Sequence, residues 1–197
     1  MRARLNARAW RAIAMIIDDV MTDKITLHSL GFVQVQLQGD QRLHVWHPEL
    51  PRRSCFEHSA IHDHRFNFVS RILVGKQINH CYDMRQLDDG DFVLYLHEGQ
   101  RQAGGGRPWT PDGRANMVLH STCTITAGDV YTTRAYEYHR TEPGGDGRVA
   151  TIMQKRGEYP AGAHSTCRYG VPPDTDFDRY QWPAARLWEV VRDVLLA

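Results

Sequence analysis

Gly31 to Gln38 reads G-F-V-Q-V-Q-L-Q. From Phe32 onward, apolar and polar residues alternate at a period close to two, the pattern of a strand with one buried face. Gly39-Asp40 marks a turn, and Arg42 to Trp46 resumes as a second strand, so this stretch predicts a hairpin. The same texture continues outward. Residues 60–84 give two strand candidates separated by Gly75, and Asp91 to Leu96 gives another. Met117 to Thr126 and Asp129 to Thr133 follow, broken by Ala127-Gly128. Glu137 to Thr141 and Val149 to Gln154 are joined by the Gly-rich turn Pro143 to Gly147. Many short strands with turn signals between them, and no helical pattern in the middle, predict an all-β sandwich or barrel.

Helical periodicity is confined to the two ends. Trp10, Ile13, Ala14, Ile17 and Met21 recur at three- and four-residue steps, which predicts a helix over residues 8–20. A mitochondrial presequence is the competing reading, because the first 17 residues lack acids. Leu187, Val190, Val191, Val194 and Leu195 share one face of a second helix over residues 184–196, with Pro183 near its start. The expected organisation is a helical segment over 1–30, a barrel over 31–156, and an excursion with the C-terminal helix over 157–197. Residues 99–115 form a long Gly-rich loop. It lacks the G-K-[ST] of a P-loop and no helix pattern follows it, so it reads as a mobile surface loop.

The chain has 197 residues, 42% of them hydrophobic and 24% charged, with a net charge of +1. This is the composition of an ordinary soluble domain, and nothing in it calls for nucleic acid or a membrane as partner. No apolar run approaches the roughly 20 residues that span a bilayer. Cys55, Cys81, Cys123 and Cys167 are widely spaced, without a C-x-x-C pair, and read as reduced thiols of a cytoplasmic protein. A small-molecule substrate is the expected partner, and a homodimer is compatible with the composition.

His62 and His64 stand out among the eleven histidines. Two apart on a predicted strand, they project to the same face, where Phe66, Phe68, Ile72 and Val74 continue an apolar wall. Neutral imidazole is the commonest metal ligand, and an apolar surround strengthens its bond to a cation. Asp63 and Arg65 alternate to the opposite face.

With these residues in view the chain resembles the cupin superfamily, whose first motif is G-x5-H-x-H-x3/4-E-x6-G and whose second is G-x5-P-x-G-x2-H-x3-N. His62-Asp63-His64 supplies H-x-H, Gly75 stands at the spacing of the x3 form, and Gly128 with His139 reproduces the second motif's glycine-to-histidine spacing. The departures are equally specific. Phe56 replaces the leading glycine. Phe68, or Val69 in the longer reading, replaces the glutamate. Arg134, Tyr136 and Pro143 stand where Pro, Gly and Asn are usual. The resemblance implies a double-stranded β-helix, or jelly roll, flanked by the two helices. It also implies one divalent metal per chain on His62, His64 and His139.

Three histidines without the glutamate are similar to the site of the cysteine dioxygenase-like thiol dioxygenases. A three-histidine site is more positive by one charge than two histidines and a carboxylate, and so favours a substrate that binds as an anion. The implied function is an Fe(II)-dependent dioxygenase acting on a small anionic substrate, with a thiol among the candidates. Zn, Ni or Mn are alternatives to iron, since imidazole discriminates weakly among these ions. Further candidates are Tyr82 and His80 as catalytic groups on the strand after Gly75, and Phe66, Phe68, Lys155 and Arg134 as substrate contacts. Two other readings stay open: a binding or structural protein stabilised by its metal, and a metal-dependent isomerase or hydrolase.

Overall fold

The alternation over Phe32–Gln36 and Gln41–Trp46 produces two strands that face a core on one side and a cavity on the other. The structure, a computed structural model, describes residues 24–196; the helix expected over residues 8–20 lies outside them. The strands in chain order are β1 (Ile25–His28), β2 (Phe32–Gln36), β3 (Gln41–Trp46), β4 (Phe66–Val74), β5 (Lys76–Gln86) and β6 (Phe92–His97). They continue with β7 (Thr110–Thr126), β8 (Val130–Thr133), β9 (Tyr138–Pro143), β10 (Val149–Glu158) and β11 (Ala163–Arg168). A helical turn, α1 (Phe56–Ser59), precedes β4, and α2 (Ala184–Leu196) ends the chain. The strands form two antiparallel sheets, β1-β2-β3-β10-β4-β8 and β11-β6-β7-β5-β9, in the arrangement of a jelly roll.

The largest apolar core lies on the outer face of the six-stranded sheet, beneath α2. Ile25, Leu27, Val33, Val35, Leu43, Val45 and Ala150 pack there against Leu187, Trp188, Val191, Val194 and Leu195 of the helix. The helix was legible because its buried residues recur at helical spacing. The alternate residues of the same strands, among them His28, Phe32, Arg42, His44, Trp46, Phe68 and Met153, line the inner cavities. The inside of the barrel is therefore rich in polar and ionisable groups, and the principal hydrophobic core lies outside it.

Three expectations need correction. Ile25–His28 is an edge strand paired with β2, and not part of an N-terminal helical segment. The excursion after residue 157 contains β11, which pairs along its whole length with β6. The loop of residues 99–115 is shorter than expected, because β7 begins at Thr110.

Gly75 makes the tight passage from β4 in one sheet to β5 in the other. Its φ is +74°, and a Cβ there would lie 2.2 Å from the carbonyl oxygen of Arg148, so glycine is required. The same backbone logic explains a departure in the second motif. Tyr136, in the glycine position, has φ +64°, so the left-handed turn persists without the glycine.

Candidate metal centre and its cavity

His62 and His64 lie just before β4 in an extended segment, not within a regular strand. That segment closes the five-stranded sheet. His62 bridges to His139 on β9, with its N–H donating to the His139 carbonyl at 3.0 Å and its carbonyl accepting from the His139 N–H at 2.9 Å. On its other side it bridges to Ser165 on β11. Asp63, 3% exposed, points away from the histidines, and its carboxylate accepts the backbone N–H of His164 at 2.6 Å. A second carboxylate, from Asp112, lies 2.9 Å from Nε2 of His164. These contacts pin the histidine-bearing segment to the adjacent strand. Hydrogen bonds and the Asp63 carboxylate on one side, and Asp112 on the other, hold the His164 imidazole above its ordinary pKa.

The three imidazoles of His62, His64 and His139 converge. Their ring nitrogens lie within 4.8 Å of one another, and the ring centroids are 4.6–5.1 Å apart. Nδ1 of His62 lies 3.0 Å from the Ala60 carbonyl oxygen, and Nδ1 of His139 lies 2.9 Å from that of Glu137. A carbonyl can only accept, so both Nδ1 atoms carry the proton and both Nε2 atoms keep a lone pair. Such a backbone anchor orients a metal-binding histidine and fixes its tautomer. Burial, then the neighbouring histidines, holds His62 and His64 well below the usual imidazole pKa. Burial also lowers His139. The rings are neutral at pH 7, and this donor set fits a divalent ion of the first transition row.

Phe68 is buried, with its ring edge-on to His64 at 5.4 Å, and Phe66 stacks on His64 at 5.0 Å. A cavity of about 310 Å³ opens over His62, His64 and Phe66 and receives Lys155, whose Nζ lies 4.8 Å from the Phe66 ring and 2.8 Å from Glu158. A smaller cavity of about 70 Å³ reaches all three histidines from the barrel interior, beside Phe68.

The structure does not bring the other three candidates to this cavity. Arg134 is exposed in the β8–β9 turn. His80 Nδ1 lies 2.9 Å from the hydroxyl of Thr122 on the neighbouring strand. Tyr82 packs beside Ile61, Leu94 and Tyr138, and borders a separate depression of about 490 Å³ that touches His139 from another side. The reason lies in β5, where Gln77 and Asn79 are the buried residues, so that the alternate positions His80 and Tyr82 face the other way.

Sequence spacing gave no sign of Arg42, Arg53, Arg101 and Arg179, which come from separate segments and all line the cavity of about 310 Å³. Nor did it single out His44, whose Nε2 is buried without a partner among the described residues. Burial, with Arg42 and Arg179 nearby, pushes the His44 imidazole down to about 3. In the unfolded chain it titrates near ~6.5. Between these values the unfolded state holds a proton that the native state does not. Stability should therefore be full above about pH 6.5 and fall below it, by roughly 1.4 kcal/mol per pH unit from this residue alone. Urea midpoints from pH 7 to 5 check this: His44→Phe should flatten the decline, and an unchanged slope would refute the assignment.

No known family model matches the chain, and no curated protein does. Among solved structures it shows a likeness to hydroquinone 1,2-dioxygenase from Sphingomonas sp. TTNP3 with 4-hydroxybenzoate bound. Identity is 11%, the match covers 64% of this chain and 64% of that one, and the TM-score is 0.32. The match thus spans less than two thirds of that enzyme's length. So remote a likeness says nothing about the chemistry of this chain. Among the described residues no helix is long and apolar enough to cross a membrane.

Proposed function

We propose that this chain is a metal-dependent dioxygenase that holds one divalent ion, preferably Fe(II), on His62, His64 and His139 and acts on a small anionic substrate, with a thiol among the candidates. The observation that carries this reading is a cluster of three neutral imidazoles, with Phe68 in place of a carboxylate, of which His62 and His64 open to a cavity where cations outnumber carboxylates. Fe(II) held by three protein ligands supplies open positions and electrons for reaction with O2. The imidazoles leave the ion's charge unneutralised, so an anion is favoured beside it. Phe66 and Phe68 keep competing water away. Arg42, whose guanidinium lies 5.5 Å from the centre of the Phe66 ring, attracts the anion to the cavity, whereas Lys155 on the same ring is paired with Glu158.

A metal kept only for stability has no need of an open approach, and the cavity over His62 and His64 favours a site that exchanges ligands. The test is anaerobic reconstitution with Fe(II), followed by O2 uptake across small thiols, diketones and hydroxylated aromatics. Uptake with one class, abolished by His62→Ala, is the expected result. Tight stoichiometric Zn with no uptake on any of them would move the assignment to a hydrolase, an isomerase or a structural site.

A further inference from the structure

The Gly-rich stretch at 104–105 packs against a distant part of the chain, which the sequence did not disclose. The carbonyl of Gly104 accepts the backbone N–H of Arg179 at 3.0 Å. A Cβ on Gly105, where φ is +78°, would lie 3.0 Å from the Tyr180 ring and 3.2 Å from the Arg179 side chain. The loop between β6 and β7 therefore lies directly on the segment before α2, and the positive φ of Gly105 at this close approach favours glycine there. This packing brings Arg101 of the loop and Arg179 of the segment to the cavity that Arg42 of β3 also lines.

The acidic groups around this cavity are already engaged. Glu158 is shared by Lys155 and Arg65. Asp63 is held by His164, and Asp174 accepts the backbone N–H and hydroxyl of Ser54. Among the described residues five arginines of the cavity, Arg42, Arg53, Arg101, Arg107 and Arg179, have no ion-pair partner. Of these, Arg53 already gives Nε and a terminal nitrogen to Ser59, and Arg107 binds the Gly99 carbonyl. Arg179 donates to the Leu27 carbonyl and the Thr26 hydroxyl, and Arg101 to the Gly105 carbonyl, so each keeps donors to spare. Among the described residues the buried Nε of Arg42 has no partner, and its guanidinium lies 5.5 Å from the centre of the Phe66 ring, which stacks on His64.

We propose that the substrate carries a compact dianion, a phosphate or phosphonate group, bound by Arg42, Arg101 and Arg179 while its other end reaches His62 and His64, which line the same cavity. This rests on the reading of the histidines as the reacting end of the same cavity. Three guanidinium groups around one carboxylate would leave two charges unmatched, whereas a phosphoryl group offers three acceptor oxygens and about two negative charges. The electrostatics agree in direction. Burial, then Arg101, lowers Arg42, and burial, then Arg101, with a further push from Arg42, brings Arg179 down to about 10. A dianion among them would relieve that repulsion.

Calorimetric titration of the metal-free protein at fixed ionic strength tests the inference, with inorganic phosphate, methylphosphonate, phenyl phosphate and acetate as probes. The expected result is one site per chain for each phosphoryl compound, with acetate at least about tenfold weaker and Arg42→Gln or Arg101→Gln each weakening phosphate by about tenfold. Arg101 is on an exposed loop, so its variant keeps the fold, as circular dichroism would verify; Arg134→Gln, outside the cavity, should bind phosphate like the parent. Binding of inorganic phosphate but neither organic compound would show a site for the free ion and overturn the substrate assignment. Phosphate no tighter than acetate, or unaffected by both arginine variants, would overturn it as well. His62→Ala separates the two readings. If it binds phosphate normally while the parent chain holds no metal, the dianion site stands and the dioxygenase falls; if the parent holds metal and none of the phosphoryl probes, the reverse holds.

Discussion

His139→Ala should release the metal ion and leave the barrel folded. The side chain supplies one of three imidazoles, and its Nδ1 is anchored by the Glu137 carbonyl. The backbone bridge between His139 and His62 needs no side chain, so the segment that closes the sheet stays in place. The core beneath α2 lies on the far face of the other sheet and is untouched. Loss of one of three ligands should weaken metal binding by at least about 100-fold, beyond what loss of an outer hydrogen-bond partner costs. His62→Ala and His64→Ala should behave alike. Two controls sharpen the test. His97 is anchored to the Pro108 carbonyl beside Trp109, and the Nε2 of His44 is buried without a partner among the described residues; replacing either should leave metal content unchanged. Elemental analysis of untagged protein, with circular dichroism as the check on folding, reads all five variants. Full metal in His139→Ala would mean that the ion sits elsewhere.

The parts of this molecule that alternate or repeat at helical spacing were legible in the sequence. The β2–β3 hairpin, the β4–β5 passage at Gly75 and α2 each bury one face, and burial imposes the pattern. β11 escaped because A-H-S-T-C-R has almost no apolar contrast; its place is set by hydrogen bonds to β6 and by the bridge to His62. β1 escaped because it is short and adjoins a stretch with helical periodicity. The convergence of His62, His64 and His139 was readable because two of them share a two-residue spacing and the third follows a turn glycine. No spacing rule relates Arg42, Arg101 and Arg179, which meet only through the packing of a glycine loop on a segment more than seventy residues away. The same limit applies to Asp63, whose partner His164 is 101 residues distant.

Phe68→Glu should tighten metal binding and slow the oxidation of a thiol. Phe68 is 5% exposed, and its ring lies 5.4 Å from that of His64 and 6.1 Å from that of His139, so a shorter side chain at this position points its carboxylate toward the cluster. Without metal that carboxylate is buried beside Met153 and Tyr131, burial favours its protonated form, and the metal-free variant should be less stable than the parent by a few kcal/mol, about what an unpaired buried polar group costs. With metal the carboxylate becomes a fourth ligand and offsets one charge, and affinity should rise by about tenfold or more. The offset charge and the occupied position both oppose an anionic substrate, so thiol oxidation should fall by a similar factor. Phe68→Leu removes the ring without adding charge, and should leave metal affinity near that of the parent; any loss of rate it shows measures the ring's part in excluding water. Equal metal affinity in Phe68→Glu and Phe68→Leu would mean that position 68 does not reach the ion. Faster thiol turnover in Phe68→Glu would contradict the charge argument itself, because a site selected for an anion cannot gain from a competing one.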